Sequence, residues 1–189
     1  MSYLWTRGDS LKNNERKNSK RHFLLFICLS LGVLAGAYFG QGKVLDSSLQ
    51  GDWYKTFISI FSSSALFVTV SFLLGFCAVF APLQYVVVIF KGLGLGAVAK
   101  NAYSSGRLLP QILLFLLFSV FSCLVLLSQA GEAVGMSQRY LAISVTTENR
   151  LGLAVEFKEY IFKYLIYLIL CGIIGALNSL SLLLLQMWV

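Results

Sequence analysis

The sequence predicts an all-α, polytopic transmembrane helical bundle of about five spans. Three observations lead there. Of 189 residues, 58% are hydrophobic and only 12% are charged, too few to surface a water-soluble core. The apolar residues gather in runs near the length a bilayer requires, at 23–40, 57–80, 83–103, 110–130 and 165–185. Nearly all of the charge lies outside those runs. The expected organisation is therefore a basic tail, 1–22, followed by a single membrane domain, 23–189, whose links are too short to fold as catalytic domains of their own.

The tail carries Arg7, Lys12, Arg16, Lys17, Lys20 and Arg21 against Asp9 and Glu15. Basic residues abutting a span mark its cytoplasmic side, so the net charge of +7 reads as topology and attraction to anionic lipid rather than as nucleic-acid binding. The first run, Phe23 to Phe39, places Gly32, Gly36 and Gly40 at four-residue spacing on one helix face, where small residues let a second helix come close. Ala35-Gly36-Ala37 resembles a signal-cleavage site, but the run exceeds a signal core of about 7 to 15 residues.

A polar link, Gly42 to Lys55, ends at Trp53 and Tyr54, rings suited to a membrane interface. The second run holds Ser59, Ser62, Ser63, Ser64, Thr69 and Ser71, hydroxyls that pair with their own helix or a neighbour. Pro82 is expected to break that run and turn the chain back. The fourth run begins at Pro110, where a missing N–H does no harm, and carries no charge to Ala130. The chain from Gly131 to Glu159 turns polar. Its later part, Leu151 to Tyr164, puts Leu153, Phe157, Ile161 and Tyr164 on one stripe and Glu156, Glu159 and Lys163 on another, which predicts an interfacial amphipathic helix before the last span and an i,i+4 pair between Glu159 and Lys163. Gly172, Gly175 and Asn178 are the small and polar packing positions of that last span. The basic residues place the tail and 139–163 inside, and Lys43, Lys55, Lys100 and Arg107 outside.

The third run is the least generic. Lys91 interrupts it, followed by Gly92, Gly94 and Gly96, so the span is expected to be broken or glycine-rich. A lysine at the centre of a membrane helix costs about 2.5 to 3.5 kcal/mol on insertion scales. Lys91 could snorkel to the headgroups, end a half-helix formed at the glycines, meet a buried structural or partner contact, or serve transport or proton relay.

Chemistry is otherwise sparse. His22 is the single histidine and lies in the basic tail, which excludes a histidine-built zinc site. Cys28, Cys77, Cys123 and Cys171 fall in four different runs without C-x-x-C spacing and read as buried small hydrophobes. No G-x-S-x-G, H-E-x-x-H or P-loop pattern occurs, and no aspartate lies within an apolar run. The sequence offers no catalytic residue, no metal ligand set and no cofactor site, and the protein is expected not to be an enzyme.

F-L-L-G-F-x-x-x-x-x-P-L at Phe72 to Leu83, I-F-K-G-L-x-L-G at Ile89 to Gly96 and L-P-Q-I-L-L at Leu109 to Leu114 together resemble the stage II sporulation protein M family of bacterial integral membrane proteins. The similar region runs from about Phe57 to Ala130. The resemblance implies a multi-pass protein of the bacterial cytoplasmic membrane that acts in forespore engulfment. It would organise peptidoglycan hydrolases, a lytic transglycosylase and an amidase-endopeptidase, without being a hydrolase itself. Lys91, Gly92, Gly96, Pro110 and Gln111 are the motif residues it marks as structural or partner-contacting. A transporter or permease subunit is the alternative, raised by Lys91 and an interrupted third span. A membrane enzyme would need facing pairs of polar side chains.

Overall fold

The computed structural model describes the main chain over residues 2–40, 53–104, 109–145 and 150–188, and side chains over 19–40, 54–103, 116–141 and 157–181 apart from 56, 78, 101 and 102. These residues form five α-helices: α1 (Ser2–Phe39), α2 (Trp53–Leu74), α3 (Ala81–Ser104), α4 (Leu109–Val145) and α5 (Arg150–Trp188). Each contains a stretch long and apolar enough to cross a membrane: Ser19–Phe39, Phe57–Leu74, Ala81–Lys100, Leu116–Leu141 and Phe157–Ser181. The chain is an all-α bundle of five spans and a multi-pass membrane protein.

Successive helices alternate in direction, and α4 is the hub, touching α1, α2, α3 and α5. Half of its apolar window is buried, against 17–22% for the other four. Around it lie three apolar clusters. Leu25, Leu29, Val88, Cys123, Leu127 and Ala130 join α1, α3 and α4. Val68, Leu126 and Cys171 join α2, α4 and α5. Ala133, Met136 and Tyr160 close the end near the tail, beneath Phe72 and Phe76. The outward faces are apolar too, with Phe23, Leu34, Leu66, Phe90 and Ile169 all more than half exposed, as lipid-facing surface should be.

Four elements differ from the sequence expectation. α2 stops at Leu74 rather than near residue 80. Gly75 to Cys77 turn the chain, a short 3-10 turn follows at Ala78–Phe80, and Pro82 stands in the first turn of α3, opening a helix instead of ending one. The glycine-rich α3 is continuous through Lys91, so Lys91 does not end a half-helix. One face of each inward-turned glycine is covered by α1, and the packing keeps the helix whole where glycine propensity alone would loosen it. α4 extends past residue 130 to Val145, with the His22 and Arg21 side chains of α1 lying over Gly131 and Gly135. The amphipathic segment 151–164 runs without a break into the last span as α5.

Candidate functional site

The geometry of the third span is set by α1. Gly32, Gly36 and Gly40 meet Ile89, Leu93 and Ala97 in turn, and Gly92 and Gly96 meet the backbone at Leu29 and Val33. The partners advance by four residues on both helices, so α1 and α3 run parallel in register and touch along their most extensive helix contact. A Cβ on Gly32, Gly36 or Gly96 would overlap a main-chain carbonyl oxygen of the opposite helix, and a Cβ on Gly92 would lie 2.6 Å from the Leu29 carbonyl oxygen. Only glycine permits this approach, which brings Cα hydrogens against carbonyl oxygens in a lipid setting where packing and weak polar contacts hold helices together. Gly32, Gly36 and Gly40 of α1 and Gly92 and Gly96 of α3 are thus the two halves of one seam, and Gly94 lies outside it.

With α1 occupying that face, Lys91 projects from another side of α3 toward α2, where Ser64 links on to α4. It stands about 15 Å from Ala81 and about 14 Å from Lys100 at about 1.5 Å per residue, in the middle of the apolar stretch and too deep for ordinary snorkelling. Its ammonium lies 3.5 Å from Ser64 Oγ and 5.2 Å from the centre of the Phe67 ring. Ser64 Oγ is in turn 2.8 Å from Ser122 Oγ, a buried bond between α2 and α4. All of these neighbours are neutral. Among the described residues no carboxylate pairs with Lys91; the ion pairs formed there are those of Lys163, 3.1 Å from Glu132 and 3.2 Å from Glu159. The latter is the i,i+4 pair expected on α5.

A second polar layer surrounds the end of α2. A helix leaves its last four carbonyls without intrahelical partners, and in a membrane each must find one. Ser71 O accepts from Gln84 Nε2 at 2.7 Å and from Gly75 N at 3.3 Å. Phe72 O accepts from the Tyr160 hydroxyl at 3.0 Å and from Gly75 N at 3.1 Å. Leu73 O and Leu74 O accept from Phe76 N and Cys77 N. Beyond the helix, Cys77 O accepts from Ser137 Oγ at 2.9 Å and from Phe80 N at 3.1 Å. Three other helices, α3, α5 and α4, supply one side-chain donor each, so the turn is held from every side. Ser71 Oγ also donates to Gln84 Oε1 at 2.8 Å, and Gln129 Nε2 donates to the Tyr160 hydroxyl at 3.4 Å.

Gln84, Gln129 and Tyr160 were missed by sequence reasoning. The signal available was an uncharged amide inside an apolar run, a group that must find hydrogen-bond partners when buried. Pro110 and Gln111 lie in the first turn of α4, and their side chains lie outside the described residues. The motif residues therefore separate: Gly92 and Gly96 join Gly32, Gly36 and Gly40 in the seam, while Lys91 joins the serines. The cysteines divide as well. Cys123 and Cys171 are buried and Cys28 half-buried, but Cys77 is exposed, because α2 ends before it and places it in the turn. Among the described residues no three His, Cys, Asp or Glu gather as a metal site.

Compared with protein-family models, curated proteins and solved structures, the chain matches none of them.

Proposed function

We propose that the protein is a membrane-embedded scaffold of the bacterial cytoplasmic membrane, amino terminus inside, that holds peptidoglycan-degrading enzymes in place during forespore engulfment. The observation that carries the reading is the division of labour inside the I-F-K-G-L-x-L-G stretch. Its glycines lock α3 to α1, a framework role, while Lys91 meets only neutral side chains and is left as a charge to offer a partner. The identity of the partners rests on the motif resemblance. The links between the spans are short, so the enzymes would be gripped through the spans and those links.

A transporter or permease subunit is the second reading, favoured by one observation: Lys91, Ser64 and Ser122 bring polar groups together in the middle of the bundle, where membrane transport sites are commonly built.

The test is mild crosslinking of the tagged protein in its native membranes, with mass spectrometry of what copurifies. Wall hydrolases are the expected recovery. An ATPase or other transport subunit in their place moves the assignment to the second reading, and recovery of neither class overturns the scaffold.

A further inference from the structure

We infer that the cleft between α2 and α3 docks a transmembrane helix of a different protein, one that carries a single aspartate or glutamate at mid-membrane, and that Lys91 is the charge that receives it. The inference rests on the scaffold reading and specifies its grip.

Three observations support it. Lys91 is only half-buried at the middle of its span, with the long contact to Ser64 and the Phe67 ring as its polar company. A charge held this deep is normally paired. Next, the wall beside it is open and small. Gly94, one turn along α3, is exposed, and a Cβ built there would meet nothing within 4 Å, the opposite of its seam neighbours Gly92 and Gly96. Ser63 of α2, next to Ser64 and on the side toward Phe67, is likewise exposed. Small residues flanking a polar one are what a close helix approach in lipid requires. Finally, no carboxylate among the described residues completes the pair. The carboxylates within the described spans, Glu132 and Glu159, already share Lys163, and Glu132 lies about 15 Å along α4 from Ser122. A second copy has the same sequence and so offers no acid at the matching depth. The occupant must bring its own.

The experiment reconstitutes the full-length, donor-labelled protein in liposomes with acceptor-labelled leucine-based transmembrane peptides of about 23 residues, bearing Asp or Leu at the centre. Energy transfer against peptide density gives the apparent affinity. The Asp peptide is expected to bind about tenfold more tightly than the Leu peptide. Lys91→Met should abolish the preference. Gly94→Leu, at an exposed position where an added Cβ meets nothing within 4 Å, should weaken Asp-peptide binding with Lys91 intact, and an unchanged melting temperature of the variant checks that folding is kept. Equal transfer from the two peptides to the wild-type protein, whether strong or absent, overturns the inference, as does a preference that survives Lys91→Met. If crosslinking recovers wall hydrolases while the peptides are not distinguished, the scaffold stands and this docking mode falls. A clear Asp preference without hydrolase recovery leaves the docking cleft and removes the proposed partners.

Discussion

Gly36 of α1 faces Leu93 of α3 so closely that a Cβ on Gly36 would stand 2.8 Å from the Leu93 carbonyl carbon, well inside van der Waals contact. The backbones themselves touch, and the nearest atoms belong to a rigid main chain that cannot rotate away. Gly36→Val should force the helices apart along the seam. The expected cost is about 1–3 kcal/mol, the range for overpacking a well-filled core, read as a lower melting temperature in nanodiscs. Gly94→Ala supplies the contrast. With open space at that position, the change should be neutral or slightly stabilising through better helix propensity, and an equal loss at both sites would refute the assignment of the seam.

Lys91→Met keeps the length of the stem and removes the charge. The ammonium has no anionic partner among the described residues, so its transfer into the bundle is offset only by Ser64 and the Phe67 face. Removing it should leave insertion intact and hold or raise thermal stability in the isolated protein, since the desolvated charge costs about 2.5–3.5 kcal/mol on insertion scales. A marked destabilisation of the purified variant would mean that Lys91 is a structural keystone. A charge with only these two weak contacts in the isolated protein is the one expected to matter when a partner is present.

The number of spans was legible because a bilayer forces a long apolar run wherever the chain crosses it, and the glycine spacing at 32, 36 and 40 announced a helix face that accepts a close neighbour, whereas Gly92, Gly94 and Gly96 marked α3 as unusual without telling which of them face α1. Which face meets which was not legible, since helix propensity and hydropathy carry no information on pairing, and α1 with α3 is one of several pairings that alternating spans allow. The end of α2 was hidden for a different reason: Cys77 to Phe80 is as apolar as the helix before it, and only the turn at Gly75 with its side-chain donors on α3, α4 and α5 marks the boundary. Lys91 drew notice as a charge in an apolar run, but its serine neighbours come from α2 and α4, far away in sequence.

The Glu132–Lys163–Glu159 cluster should contribute little. These side chains are about 36–63% exposed, and exposed ion pairs are worth roughly 0–1 kcal/mol. Glu132→Gln should shift stability by less than about 1 kcal/mol, and the shift should shrink further in added salt. A loss of several kcal/mol would show that this end of the bundle is far less hydrated than its exposure implies.

Tyr160 separates hydrogen bonding from packing at the end of α2. Tyr160→Phe deletes the hydroxyl that donates to Phe72 O and accepts from Gln129, while keeping the ring stacked 5.0 Å from Phe72. Phe72 O retains its bond from Gly75 N, so the loss should be about 1–2 kcal/mol. Tyr160→Ala also removes the ring from contact with Phe72 and Phe76 and should cost about 3–5 kcal/mol. Denaturation of both variants in the same detergent gives the two contributions, and equal losses would assign the whole effect to the hydroxyl.

Gln84 and Ser71 form a closed two-bond pair between α3 and α2, both residues fully buried. Removing one partner strands the other: Gln84→Leu leaves the Ser71 hydroxyl without its acceptor, and Ser71→Ala leaves the Gln84 carbonyl without its donor while the amide still reaches Ser71 O. A buried polar group deprived of its partner costs about 1–3 kcal/mol, so each single variant should lose about that much. The double variant removes most of the stranded groups together and should lose clearly less than the sum, with a coupling of about 0.5–3 kcal/mol. Additive losses would mean that the two side chains do not depend on one another, and that the amide is held by the Ser71 main chain alone.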